Sequence, residues 1–594
     1  MVKKGKRFMN KTQQQVYDVL IMGAGFAGIC QARHLLLNIP NIKVAIIDPR
    51  SPERSIKDLK IGESTVEISS MFMCKELALH EYLLENHAPK YGLNYHWPKN
   101  QAQTKSVNDY YHMGFNRTPL IDSFHINRAK FEQDVLQMTQ EMGATFYNGR
   151  VIDVELTPCD QLHTVTVKLD QASIELKTKH VIDAAGRRFI IGKKLNNVIL
   201  DSEEMTGINT GSAWLRVKNI DLNIFDNIYN KINGTASSYY STKHFFGTGH
   251  WIWVLPIDTK QKEISIGLVH HKNSIAANQI NTSEKLKSFF KANHEIVYNL
   301  IESGQCIDFN YLPRLAHNSK QHLSQDNWYV IGDAAQMFDP LYSPGLVVTA
   351  LGIECVTEVI RAKLAKEPEA EKKQDMYNKF MVATATSYSR LYQNHEKHLG
   401  HASVMSWRIY MENMFWFGNL VPMYIGKWFL DFHFINEHIK AIEFLAGPQN
   451  SLFSDLHQQF DQLVECDANL GIMDFARTDQ LLWGYGPSKY FDNFLENSRL
   501  DPHQCNVLLC LKNTFFFLAV FYLKLRFKGF GIWGGFAPKT WIRVTQLLSY
   551  SFYIAIGEKI YRFKVHKLNH KTFIEKMRQE FKTYQYQPKL HPWN

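Results

Sequence analysis

Regular patterning begins at Val16, where VYDVLIM fills with apolar residues and runs into a glycine turn, GAGFAG. A helix-length stretch to Leu37 follows, and then a second apolar run, IKVAIIDP, which reaches Asp48. Strand, glycine turn, helix and strand in that order predict a βαβ unit. Between about 105 and 160 the pattern predicts a helix over NRAKFEQDVLQMTQEMG and then the alternating strands RVIDVEL and HTVTVKLD, before a third apolar strand, HVIDAAG, reaches Gly186. SAWLRV, HWIWVLPI and EISIGLV, between about 205 and 270, alternate as an antiparallel sheet does. An apolar strand returns in NWYVIGDAA near Trp328, and a helix follows Pro344. The charged segment Arg361 to Lys373, with Pro368 inside it, reads as the end of that helix and an exposed connection. Beyond about residue 400 strand alternation fades into an aromatic-rich, helical texture that is densest in SWRIYMENMFWFGNLVPMYIGKWFLDFHF. No repeat with the period of a solenoid is present.

The predicted class is therefore α/β: a Rossmann-like dinucleotide-binding domain, an antiparallel-sheet substrate domain and a mainly helical C-terminal region. The expected division is a basic tail over 1–15, an interleaved core over 16–400 and the helical region over 401–594.

Composition refines this picture in three places. The chain has 594 residues, 45% hydrophobic and 21% charged, which excludes a disordered tail and a small disulfide-stapled scaffold. Its eight cysteines are scattered without a CxxC pair, so neither a zinc site nor a disulfide framework is expected, and a reducing compartment fits. Residues 1–15 are basic but lack the apolar stretch of a secretory signal, and the longest strongly apolar run, Thr514 to Leu523, has ten residues. A bilayer span needs roughly 20. A soluble, cytoplasmic protein is expected, with peripheral membrane contact left open.

Gly23, Gly25 and Gly28 form GxGxxG at the junction of strand and helix, and Asp48 ends the next strand twenty residues after Gly28. Gly23 allows the tight turn, Gly25 the approach of a pyrophosphate and Gly28 the close packing of helix on strand, while Asp48 can bond a ribose hydroxyl. Ala24, Phe26 and Ala27 complete the candidate dinucleotide loop. A second GxGxxG at Gly529, Gly531 and Gly534 lacks this context and is expected to be a loop. GRRFIIGKK, from Gly186, has the wrong spacing for a phosphate loop.

GDAAQMFDP, from Gly332 to Pro340, resembles the second FAD-binding motif of the aromatic hydroxylase superfamily, in which the matching Asp333 contacts the flavin's ribityl chain. The strand ending at Asp183 and the Arg128 segment are similar to further elements of that superfamily. HWIWVLPI places Trp251, Trp253 and Pro256 in a pattern that resembles the WxWxIP signature of flavin-dependent halogenases, with Leu255 for isoleucine. KIGES, from Lys60 to Ser64, resembles the same family's loop after the second strand. In APKYGLNY, Lys90 stands where the family carries the lysine that guides or activates the halogenating species. The resemblance covers roughly residues 15 to 400.

It implies a cofactor site built from the glycine loop, Asp48, Ser64, Arg128, Gly332, Asp333, Pro340, Gly345 and Leu346. It also implies catalytic roles for Lys90, Trp251, Trp253 and Tyr342, and a halide site at Ser343, Pro344 and Gly345. Reduced FAD (FADH2) and oxygen would oxidise chloride or bromide to hypohalous acid, which would travel to Lys90 and be held there as a hydrogen-bonded acid or as a chloramine. An electron-rich carbon would then be halogenated, with the two tryptophans lying between the flavin and substrate compartments. FADH2 would come from a separate NAD(P)H-dependent flavin reductase.

Tyr342 replaces the glutamate that tryptophan halogenases pair with the lysine, which favours a phenol, a pyrrole or a carrier-bound group over free tryptophan. Pro344 removes an N–H donor from the halide segment. These two residues favour the alternative, an FAD-dependent monooxygenase or other oxidoreductase on the same scaffold without halide chemistry. A third reading is a flavin-binding interaction protein without turnover. Residues 501–594 carry 15 Lys+Arg and 4 Asp+Glu, net +11 against +10 for the whole chain. That tail suits a solvated helical cap, an acidic carrier protein or an anionic lipid surface. No recognition motif points to nucleic acid.

Overall fold

In the computed structural model, residues 16–52, 61–114, 121–221, 223–224, 238–258, 263–447, 450–473 and 507–565 are described. The basic tail over 1–15 and Lys60 of the KIGES loop lie outside them.

The first strand β1 (Val16–Met22), helix α1 (Phe26–Asn38) and strand β2 (Val44–Asp48) form the expected unit. Next in the chain come β3 (Leu93–Pro98), β4 (Tyr110–Gly114), α2 (Arg128–Glu141), β5 (Thr145–Asn148), β6 (Arg150–Glu155), β7 (His163–Lys168) and β8 (Ser173–Asp183). Then follow β9 (Thr210–Lys218), β10 (Thr242–Gly247), β11 (His250–Asp258), β12 (Glu263–His271) and β13 (Trp328–Val330). The first sheet has the order β5-β2-β1-β8-β7-β6, with β13 added to β8. Its β5, β2, β1, β8 and β13 pair in parallel, so their carboxyl ends, and the turns that carry the glycines, open on one edge.

The second sheet places β9, β12, β11, β10, β3 and β4 side by side. Alternation along β11 decides which residues face the site. Trp251, Trp253 and Leu255 belong to the same core as Trp214 and Phe246, whereas Ile252 and Val254 pack with Ile266, Leu268, Leu286 and Phe290 on the other face.

Helices α3 (Pro344–Leu364), α4 (Ala370–Leu391), α5 (Ala402–Phe415), α6 (Phe432–Ala446), α7 (Leu452–Glu465), α8 (Val507–Phe536) and α9 (Pro538–Val565) supply most of the remainder. One apolar cluster runs from Val19 to Ile554, so residue 400 marks a change of secondary structure that the core crosses. The second GxGxxG corrects the loop expectation. It lies within α8, whose helical path breaks at Gly531 (φ +67°) and resumes to Phe536.

Lys427 ties the helices to the N-terminal core. Fully buried, it sits 2.5 Å from Glu354 of α3 and 3.0 Å from Glu76, and its ammonium lies 4.0 Å from the Tyr424 ring centroid. Burial pushes the Glu354 carboxyl up to about 7 even against the pull of Lys427. Lys427→Met would leave two buried carboxyls without their counter-charge, and urea denaturation should show a loss of about 3–5 kcal/mol.

Candidate active site

The glycine turn folds as its spacing requires. Gly23 has φ +111°, and a Cβ on Gly28 would lie 1.9 Å from the Gly23 carbonyl oxygen, so Gly28 allows α1 to pack against the turn. The Ala24 amide donates to Asp48 Oδ2 at 2.7 Å. Asp48 also takes Arg50 Nε at 2.9 Å and Nη2 at 3.0 Å, so both its oxygens are engaged within the protein. At the mouth of α1 the Phe26 amide donates to Glu132 Oε1 at 3.2 Å, which places a carboxylate at an anion-favouring helix terminus.

Arg128, at the start of α2, bridges this turn to the loop before Ser64. Its Nη1 donates to the Ile61 and Gly62 carbonyls, each at 3.1 Å, and Nη2 to Glu132 Oε1 at 2.8 Å. Gly62 has φ +92°, and a Cβ there would lie 2.6 Å from Arg128 Nη1. Glu63 secures the loop from the other side through the fully buried Arg216 of β9, which also reaches Glu263 at 3.3 Å. Burial raises the Glu63 carboxyl above its ordinary range, against Arg216.

These elements surround a cavity of about 570 Å³ at the carboxyl edge of the parallel strands. Gly23, Gly25, Phe26, Ala27, Asp48, Ser64, Arg128, Trp251, Trp253, Gly332, Asp333, Pro340, Ser343, Gly345 and Leu346 line it, and Ala24 and Gly28 shape the turn behind. Gly332 (φ +58°) brings the second motif onto α1, since a Cβ there would lie 2.6 Å from that of Ala27.

A second cavity of about 100 Å³ lies on the helical side. Lys90, Glu67, Tyr342, Pro344 and Glu412 line it together with an apolar wall that includes Phe415 and Phe417. Two loops separate the compartments, and each shows different residues to either side. Glu63 and Ser64 face the large cavity and Thr65 to Glu67 the small one, while Ser343 and Gly345 face the large cavity and Tyr342 and Pro344 the small one.

Lys90 Nζ donates to the Thr65 carbonyl at 2.6 Å. Burial pushes its ammonium down to about 7, opposed by the charge of Glu67. Glu67 Oε2 accepts the Trp416 indole N–H at 2.9 Å. Tyr342 donates its hydroxyl to Glu412 Oε2, and Arg408 Nε donates to Glu412 Oε1 at 2.9 Å. Arg408 is itself fully buried and also bonds His398 Nδ1 and the Leu391 and Gln393 carbonyls. Burial raises the Glu412 carboxyl above the usual range, against Arg408 and Tyr342.

Trp251 and Trp253 both line the large cavity, with ring centroids 5.9 Å apart. Trp251 Nε1 donates to Asp339 Oδ1 at 3.0 Å, which also accepts the Leu341 amide at 3.0 Å, so Asp339 holds the tryptophan against the dividing loop. Burial pushes the Asp339 carboxyl up to about 7. In the expected halide segment the Ser343 amide donates to the Pro340 carbonyl at 2.9 Å and Pro344 has no N–H. The donors that this segment presents at the start of α3 are therefore the first-turn amides of Gly345 and Leu346.

Glu63, Glu67, Glu132, Asp339 and Glu412 were not singled out in the sequence. Only Glu412 has a local signal: it is a carboxylate one helical turn from Arg408 within an otherwise aromatic stretch.

A cavity at the carboxyl edge of a parallel sheet, lined by a dinucleotide-type glycine turn, joined to an antiparallel sheet and set apart from a second, lysine-bearing pocket, gives the architecture of a flavoprotein oxidoreductase. The profile of the tryptophan halogenase family matches residues 116–398. The chain is 36% identical over 598 residues to flavin-dependent halogenase chlA of Dictyostelium discoideum, covering 96% of this chain and 97% of that one. It is 25% identical over 350 residues to a 1H-pyrrole-2-carbonyl peptidyl-carrier-protein chlorinase of Pseudomonas fluorescens, covering 56% of this chain and 73% of that one. Among solved structures, halogenase PltM in complex with phloroglucinol and FAD shares the fold, with a TM-score of 0.60 and 15% identity over 86% of this chain and 96% of that one. The chain belongs to the flavin-dependent halogenase family. It is an FAD-dependent enzyme that halogenates an organic substrate, which decides against the halide-free alternatives.

Proposed function

We propose that the enzyme halogenates a hydroxylated, electron-rich aromatic ring held in the smaller cavity between Lys90 and Glu412. The observation that carries this reading is the pairing, in one apolar chamber, of a buried lysine with a buried carboxylate already hydrogen-bonded by a phenol, that of Tyr342. A substrate hydroxyl can use the same acceptor. The relatives support an electron-rich ring: one is named for a pyrrole on a carrier protein, and PltM was solved with phloroglucinol, a trihydroxybenzene.

Gly23 to Gly28, Arg128, Gly332 and Asp333 would hold the FAD, with Gly345 and Leu346 offering amides to chloride or bromide. When bound and reduced, the flavin supplies the two electrons that oxygen needs to convert halide to hypohalous acid and water. The protein's own work is separation and placement. Trp251, fixed by Asp339, and Trp253 close the large cavity on the sheet side, and the two dividing loops keep the substrate away from the redox centre. Hypohalous acid crosses to the small chamber, where the Lys90 ammonium donates to its oxygen and leaves the halogen electrophilic. Glu412 accepts the hydrogen bond of the substrate hydroxyl and raises the electron density of the ring.

With one dinucleotide-binding motif in the sequence, FADH2 is expected from a separate NAD(P)H-dependent reductase. The decisive test is mass spectrometry of products from FADH2, oxygen and chloride or bromide over phenols, pyrroles, indoles and carrier-bound acyl groups. Hydroxylated rings should show the halogen isotope pattern with the highest turnover. Higher turnover on free indoles would refute the assignment.

A further inference from the structure

The second chemistry-bearing feature lies far along the chain, in the hairpin of α8 and α9. Among the described residues, most of the exposed large apolar side chains fall here. The end of α8 beyond the break at Gly531 carries Ile532, Trp533 (90% exposed) and Phe536, and α9 continues with Trp541, Ile542, Leu548, Phe552, Tyr553, Ile556 and Ile560. Trp541, Leu548, Phe552 and Ile556 repeat at helical spacing, so they form one stripe. At 1.5 Å per residue, the apolar face from Trp541 to Ile560 is about 28 Å long. The opposite face, with Val544, Leu547 and Ile554, is buried against the rest of the protein.

Charge identifies what can cover the exposed stripe. From Val507 to Val565 the sequence carries nine Lys+Arg and a single acidic residue, Glu558. Lys528 stands exposed beside the turn, Arg526 packs over Phe530 at 4.3 Å, and Lys539 and Arg543 flank the aromatic tip while reaching Asp455. A second copy of the chain would bring two like-charged hairpins together, which disfavours a self-interface. No helix among the described residues is long and apolar enough to cross a membrane. Aromatic residues at a tip, an apolar stripe in one plane and flanking cations are the features of a segment that lies within the headgroup layer.

We propose that this hairpin docks the enzyme on an anionic lipid surface, with Trp533, Phe536 and Trp541 inserted and the basic side chains at the phosphate level. The placement has a consequence for substrate supply. The root of α8 packs on the turn over Trp416–Leu420, where a Cβ on Gly418 would lie 1.8 Å from Thr514 Oγ1. Phe417 and Leu420 of that turn line the small cavity, so docking brings the substrate chamber near the lipid.

Flotation of the full-length protein with vesicles tests this without relying on turnover. Binding to phosphatidylcholine–phosphatidylserine vesicles should exceed binding to phosphatidylcholine alone by at least about tenfold and weaken as salt rises. Trp533→Ser/Phe536→Ser/Trp541→Ser should lower that binding at least about tenfold while the melting temperature and halogenation of a water-soluble substrate stay unchanged. Lys528→Glu should weaken binding to the anionic vesicles only. The proposal fails if the wild-type protein ignores anionic vesicles, if the triple variant binds as well as wild type, or if sedimentation shows a dimer that the triple substitution dissociates.

Discussion

Lys90→Ala should cut halogenation by about 10²–10⁴-fold, the range lost with a positioned proton donor, while FAD binding is retained. Lys90 lines the small cavity and not the cavity proposed for the flavin, so its loss should leave the redox half of the reaction running. Oxygen consumption with FADH2 should persist, and oxidised halogen should become trappable by a scavenger in solution instead of appearing on the substrate. Product formation at the wild-type rate would sink the assignment. The pH profile carries a sign. Burial holds the Lys90 ammonium near 7, so the donor form predominates below that value and is lost as pH rises through it. Turnover should therefore fall on the alkaline side of about 7, and the residual rate of Lys90→Ala should lack that limb.

Glu412→Gln should lower turnover by about 10²-fold on phenols of ordinary acidity, because a neutral amide accepts the hydroxyl proton far less well than a carboxylate. The amide oxygen can still accept from Arg408, which also keeps His398 and two carbonyls, but the buried guanidinium loses its counter-charge, so a loss of stability is expected and turnover is compared below the variant's own melting temperature. The diagnostic measurement is the dependence on substrate acidity. Phenols that ionise on their own at the assay pH should be nearly insensitive to the substitution, whereas an equal loss across the series would indicate a merely structural carboxylate. Because burial raises the Glu412 carboxyl, its charge is lost as pH falls through that raised value. Wild-type turnover should fall on the acid side too, and the Gln variant should not show that limb.

The parts of this site that are legible in the sequence depend on local geometry. GxGxxG needs only a strand before it and a helix after it, and alternation alone puts Trp251 and Trp253 on the same face of β11. The residues that pattern reading missed act through pairing across the chain. Glu63 pairs with Arg216, Asp339 with Trp251, Glu67 with Trp416 and Glu412 with Tyr342. Nothing in the neighbourhood of Tyr342 reveals that a carboxylate arrives seventy residues later on another helix. The second GxGxxG shows the converse, since a motif without its strand context ends in a kinked helix.

Successive residues of the second dividing loop face opposite chambers, Ser343 and Gly345 the large one and Tyr342 and Pro344 the small one. Oxidant production and substrate choice can therefore change independently. Residues of the small chamber drawn from Thr384 to Phe453 do not line the chamber proposed for the flavin, so substitutions there should admit new rings without altering how fast halide is oxidised. A poorly fitting substrate should then appear as wasted oxidant, with oxygen consumed in excess of halogen transferred, and the ratio of the two becomes a direct measure of how well any redesigned chamber fits its ring.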